Sequence, residues 1–233
     1  MLRQSRYAAR DESNGVQEAK MSAAVGTETR SGVRVGGKTT TKDLRRAGFP
    51  FRSGRICLDF VATVAKRRLG DRELLPGPEE LRTWCRVAGL PGPTDRDDAI
   101  AAHGLDRAHA LREALYRLAR ARVDGATPES ADIAAVNAAA LAAPPTALLG
   151  DDGISALPSE HAPLDAVLSL LARDAVDLFT GPYALRIREC TAHDCSLFFV
   201  DRSRPGSRRW CAMAACGEKA SSATYRKRHP GYR

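Results

Sequence analysis

Residues Arg188 to Lys219 read RECTAHDCSLFFVDRSRPGSRRWCAMAACGEK and hold four of the chain's six cysteines. Cys190 and Cys195 enclose four residues, Cys211 and Cys216 enclose four more, and fifteen residues separate the two pairs. Thiolates suit Zn²⁺, and a structural zinc site takes four ligands in a tetrahedron. Two such pairs joined by a modest loop bring four sulfurs together with little loop-closure cost. The first pair lies where LRIREC ends and CSLFFVD begins, which predicts a short hairpin whose turn supplies two sulfurs. The second follows Ser207–Arg208–Arg209–Trp210 and precedes a helix-like stretch, so Cys216 is expected in or beside a first turn. One structural zinc on Cys190, Cys195, Cys211 and Cys216 is the expectation. Four sulfurs leave no open position for zinc catalysis and no vacancy for His193, which reads as an exposed turn residue. Such a centre carries a net charge of about −2, which backbone N–H groups and neighbouring cations should offset; Arg188, Arg208 and Arg209 stand beside ligands in the sequence.

Outward from this cluster, the preceding chain is mostly helical. The apolar run Ile56–Val64 reads as a strand or a first helix, with Leu58–Asp59–Phe60 favouring the helix. Cys57 and Cys85 read as small core hydrophobes. Pro78, followed by acids and closed by Gly89, marks a helix. Ala108, Leu111, Leu115 and Leu118 share one helical face, and Arg107, Arg112, Glu113, Arg117 and Arg120 are assigned to the other. Thr127–Pro128–Glu129 opens a further helix with Ile133, Val136 and Ala140 inward. Ile154–Leu157 suggests a short strand. Leu164, Val167, Leu168, Leu171, Ala175 and Leu178 give the clearest amphipathic helix, stopped at Gly181–Pro182. The fold class is therefore mainly α: a helical N-terminal domain, then a small zinc-stapled β-hairpin plus helix module. The expected division is 1–46 as a disordered basic tail, 47–181 as the helical domain and 182–233 as the zinc module. Met21 is an alternative start.

Charge is segregated: residues 1–46 carry net +5, 47–180 net −4 and 181–233 net +7. Two basic ends around an acidic middle suggest a polyanion partner. Hydrophobic residues make up 43%, as in a soluble globular protein, and no run of about 18 apolar residues could span a bilayer. The amino terminus lacks the apolar segment of a secretory signal. The cysteines are thus expected in a reducing compartment, the cytoplasm, where metal binding is favoured over disulfides.

The stretch from Cys190 to Cys216, with FFVDRSRPGSRRWCAMAACG, resembles the CGNR zinc finger, named for a Cys-Gly-Asn-Arg tetrapeptide at its fourth ligand. Upstream, CLDFVATV, LLPGPEELRTWCRVAGL, LREALYRL and LDAVLSLLARDAVDLFT resemble the helical ABATE domain that precedes that finger in a stress-induced transcription regulator family. The resemblance implies zinc on the four cysteines and a basic carboxy-terminal segment that touches DNA. The chain departs from the signature at Glu218 and Lys219, which replace Asn and Arg, and has Ala62 where relatives tend to have Asn. Lys219 keeps the cation but lacks the planar fork of arginine.

These features point to a zinc-containing DNA-binding regulator. Its contacts are expected from Arg202, Arg204, Arg208 and Arg209 in the loop and Lys219, Arg226, Lys227 and Arg228 in the last helix. Tyr225 is expected to pack, and Trp210 to plug the small module. In this reading the helical part senses a small effector or pairs two copies as a homodimer. The alternative is a zinc-stapled protein-interaction or effector-binding module that never touches DNA. An enzyme is not expected, because His103, His109, His161, Asp59 and Glu160 show no catalytic spacing.

Overall fold

The apolar run Ile56–Val64 takes the favoured helical form, helix α1 over Ile56–Val61, and strand β3 at Val64–Ala65 begins only at its last residue. The computed structural model describes residues 45–93, 103–158 and 161–229. The expected tail, apart from Arg45 and Arg46, lies outside these residues, as do Met21 and Glu160. In chain order the elements are β1 (Arg45–Arg46), β2 (Phe49–Pro50), α1, β3, β4 (Arg72–Glu73), α2 (Pro78–Ala88), β5 (Gly92–Pro93), α3 (Leu105–Asp124), α4 (Ser130–Leu141), β6 (Ala147–Leu149), β7 (Ala156–Pro158), β8 (His161–Ala162), α5 (Leu164–Thr180), β9 (Ile187–Glu189), β10 (Phe198–Val200) and α6 (Glu218–Arg228). A 3-10 turn, Ala184–Arg186, precedes β9, and a π-helical turn, Met213–Gly217, precedes α6. The strands form two-stranded ladders: β1–β2, β3–β4, β6–β7 and β9–β10 antiparallel, β5–β8 parallel.

Local chemistry accounts for the helices. α2 begins with Pro78, whose missing N–H is no loss in a first turn, and Glu79 and Glu80 face the positive end of its dipole. It ends at Gly89, in the left-handed region. α5 buries Leu164, Val167, Leu168, Leu171, Ala175 and Leu178, the stripe read from the sequence. α3 buries Ala108, Leu111, Leu115 and Leu118. Together with α1, α2 and α4 they enclose one core around the fully buried Trp84, Phe60 and Leu58. Cys57 and Cys85 lie in it, and burial pushes the Cys85 thiol up to about 12.

Two expectations about helix faces are corrected. Arg112 is not on the solvent face of α3: its side chain is 4% exposed. Its guanidinium forks onto Glu73 with both bonds at 2.7 Å, and its Nε donates to Glu113 at 3.0 Å. Glu113 also accepts two 2.8 Å bonds from Arg67. This Arg67–Glu113–Arg112–Glu73 chain fastens the β3–β4 ribbon to α3, which is why a charge can be buried there. In α4, Ile133 is exposed, and the buried positions are Val136 and Asp132. Asp132 accepts bonds of 2.6–3.0 Å from Arg117, so an ion pair takes the place of the expected apolar contact.

The β9–β10 hairpin serves two cores. Successive residues of a strand point to opposite faces. Phe198 and Val200 accordingly join Ile187 in the helical core, whereas Leu197 and Phe199 face a second cluster made by the cysteines, Ala62, Ala192 and Ala215. Both phenylalanines are fully buried.

Candidate metal centre

The hairpin turn and the π-helical turn bring the two cysteine pairs together. The Sγ atoms of Cys190, Cys195, Cys211 and Cys216 all lie within 4.8 Å of one another. Cys211 Sγ is 3.9 Å from Cys195 Sγ and 3.6 Å from Cys216 Sγ. Sulfurs about 2.3 Å from a central zinc in a tetrahedron stand about 3.8 Å apart, so this spacing fits one zinc ion. It is far too long for a disulfide. Three of the cysteines are buried and Cys195 is half-buried, so the centre is closed on most sides.

Backbone hydrogen bonds fix each sulfur. Cys190 N–H donates to Leu197 O (2.9 Å), closing the hairpin beyond its last ladder pair, and Cys195 N–H donates to Ala192 O (3.1 Å). Thr191 uses both N–H and Oγ1 to hold Arg209 O, at 3.0 and 3.1 Å, which ties the first turn to the approach of the second. Cys211 N–H points at Cys190 Sγ (3.5 Å), supplying positive polarity to a thiolate. In the π-helical turn, Cys216 N–H and Gly217 N–H both reach Ala212 O. A Cβ on Gly217 would sit 2.6 Å from Met213 Sδ, the far end of an exposed side chain, and 3.5 Å from the Trp210 ring, so a larger residue after the fourth cysteine would have to displace the Met213 thioether. Trp210 packs on the cluster as expected, with the Arg209 guanidinium 5.2 Å from its ring centre.

Without a cation the four thiols ionise unevenly. Hydrogen bonds from Cys195, Cys211 and Cys216 hold Cys190 well below the usual thiol range. Those with Cys190 and Cys195 push Cys211 and Cys216 above it, because further negative charge beside a thiolate is opposed. A divalent ion would displace the remaining protons and cross-link the two turns.

The intervening loop is organised by Asp201, which is fully buried. Its Oδ1 accepts from Ser203 N–H (2.9 Å) and Ser203 Oγ (2.6 Å), and its Oδ2 from Arg208 N–H (2.9 Å). Burial alone would raise its pKa; the Ser203 and Arg208 bonds win and lower it. Sequence reading passed over Asp201, although Asp-x-Ser before Pro-Gly is a turn signal that could have found it.

The eight basic residues singled out in the sequence fall into two groups. Arg202 donates to Gly54 O (3.2 Å) and lies over the Tyr183 ring; Arg208 donates to the Trp210 and Cys211 carbonyls and lies over Phe199. Lys219 is 3.2 Å from Asp194, in the turn between the first two cysteines. Their charge partly holds the module together. Arg204, Arg209, Arg226, Lys227 and Arg228 are exposed. Arg188 turns to the Leu185 and Ile187 carbonyls. Glu218 opens α6, where a negative charge suits the helix dipole. Of the histidines considered for catalysis, His109 Nε2 lies 3.0 Å from Leu75 O and His103 is exposed, while Asp59 caps the backbone ahead of α1.

No curated protein matches the chain. Two family models do. Residues 186–229 match the CGNR zinc finger, the region that gathers the four sulfurs. Residues 54–182, more than half the chain, match ABATE, described as "Putative stress-induced transcription regulator". Neither is an enzyme family. The chain therefore belongs to the ABATE family and carries a CGNR zinc finger behind its helical domain.

Proposed function

We propose that the protein is a zinc-dependent DNA-binding regulator of transcription, with Cys190, Cys195, Cys211 and Cys216 as the ligands of one structural zinc. The observation that carries this reading is α6. It continues from the π-helical turn that holds Cys216, none of its residues is buried, and Arg226, Lys227 and Arg228 crowd its last turn. A helix that contributes nothing to a core and is pinned at its first turn by a metal centre is built to present a surface. Its cations face solvent, together with Arg204 and Arg209, and phosphate neutralisation is the work such a surface can do. A cytoplasmic, reducing setting keeps the thiols available to zinc. Among the described residues no helix is long and apolar enough to cross a membrane.

The test is duplex binding by the zinc-loaded protein across a salt series. Replacing Arg226, Lys227 and Arg228 with Gln should flatten the slope of log K against log salt by about one per charge and weaken binding at every sequence tried. Failure of the zinc-loaded wild type to bind any duplex at low salt would overturn the reading. The alternative, a module that binds an effector without DNA, draws support from a cavity of about 400 Å³ between α3, α4 and α5. Leu118, Ile133, Val136, Val176 and Phe179 give it an apolar wall, and Arg122 is its charged group.

A further inference from the structure

The seam between the β3–β4 ribbon and the finger encloses a cleft of about 300 Å³, with Arg52, Lys66, Arg72 and Lys219 in its lining and Asp194 as its carboxylate. Lys219 is matched to Asp194. Arg52, Lys66 and Arg72 make no ion pair among the described residues, and Arg52 Nε is buried with no hydrogen-bond partner. The Nε atoms of Arg55 and Arg67 are buried in the same way, so what marks Arg52 is its unpaired charge in the lining of the cleft. Lys66 is held at the cleft in a conformation a lysine rarely adopts, φ 59°. The following residue keeps it there: Arg67 N–H donates to Ser196 Oγ (3.0 Å) while the Arg67 side chain is clamped by Glu113. Cys195 and Cys216 also line the cleft. Even with the charge of about −2 of a zinc tetrathiolate beside them, four cations against one carboxylate leave positive charge in excess. The cleft shares Ala215 and Lys219 with an open groove along α6 that continues to Ser222 and Arg226 and has Glu218 as its carboxylate.

We infer that this cleft is a phosphate site, in which Arg52, Lys66 and Arg72 of the helical domain extend the basic face of α6 across the seam. Where the phosphate belongs to a nucleic-acid backbone the inference rests on the DNA-binding reading; where it belongs to a free phosphate compound it does not. The experiment compares zinc-loaded wild type with Arg52→Gln/Lys66→Gln and with Arg72→Gln, whose side chain is exposed and whose replacement leaves the core intact. Each is titrated with inorganic phosphate by calorimetry and with a duplex of arbitrary sequence across a salt series. Backbone occupancy predicts about tenfold weaker duplex binding for the double variant and a salt slope reduced by about one per charge, with Arg72→Gln shifted in the same direction. Free-phosphate occupancy predicts phosphate binding by wild type, lost in the double variant, even if wild type binds no duplex. That second pattern would sink the DNA reading and leave the cleft standing. Unchanged duplex binding in both variants, with no phosphate heat in wild type, would overturn the inference. So would a loss confined to zinc affinity, since the cations would then serve the thiolates alone.

Discussion

Asp59 is the buried carboxyl with the clearest consequence for stability. Its Oδ1 accepts the N–H groups of Arg52 and Ser53, at 3.0 and 2.9 Å, holding the chain that enters α1. Burial nevertheless outweighs these bonds and raises its pKa from 3.8 to about 6. A folded-state pKa above the unfolded value means that the native protein binds the extra proton between about pH 4 and 6. The group's contribution is therefore greatest below that window and declines as pH rises through it. Asp59→Asn keeps the accepting oxygen and loses the titration. Urea unfolding of the two proteins should show the variant gaining on wild type between about pH 4 and 7, by at most about 3 kcal/mol. A constant difference across that range would contradict the assignment. Glu73, Glu113 and Glu189, whose pKa values are lowered, work in the opposite sense and cancel in the comparison. At this scale the cysteines were legible because their chemistry is written in local spacing. Arg112 and Arg52 were not. A helix wheel sends charge to solvent, and only a partner 39 residues away in sequence, Glu73, explains why Arg112 stays inside.

The elements differ in what would survive loss of zinc. A unit as small as about the last 50 residues is expected to fold with its ion and to melt whole without it. The structure narrows that expectation. β9 and β10 place Ile187, Phe198 and Val200 in the helical core, and Val200 N–H donates to Ser53 O. Chelation should therefore strip amide protection from Cys211 through Arg228 in hydrogen exchange while Ile187 and Val200 stay protected. Equal loss in both would show that the hairpin has no anchorage of its own. In a Trp84→Phe background, which leaves Trp210 as the one reporter, emission should shift to the red on the same timescale. Helix positions were readable from periodicity and punctuation, as with Pro78 and Gly89 or the α5 stripe. The short ribbons were not, since two-residue strands such as β3 and β4 leave no alternation to detect and exist because Arg67 and Arg112 fasten them to α3.

Across the whole molecule, helical domain and finger are joined through Glu189. Its carboxylate, 10% exposed, takes Arg120 of α3 at 2.6 Å and Arg68 beyond β3 at 2.5 Å. Arg120 also lies over the Phe198 ring, 5.0 Å from its centre. Glu189→Ala leaves two arginines facing each other without a counter-charge and should cost about 2 kcal/mol, less than a fully buried pair because both arginines are partly solvated. Thermal unfolding should then divide into two transitions, with the finger melting first; a single shifted transition would mean that the apolar seam alone holds the parts together. The order of the parts was legible in the sequence. That they share a hairpin was not, because the four letters LFFV look like one apolar run until two different cores are placed on either side.

That shared hairpin makes the reading frame of the strand a structural quantity. Inserting a single residue between Cys195 and Leu197 would turn Phe198 and Val200 toward the sulfurs and Phe199 toward the helices, inverting both interiors at once. Inserting a second would restore the parity, at the cost of a longer tether. Length variation in this protein should therefore be tolerated in even steps here, and in any step beside β6, whose three residues are exposed.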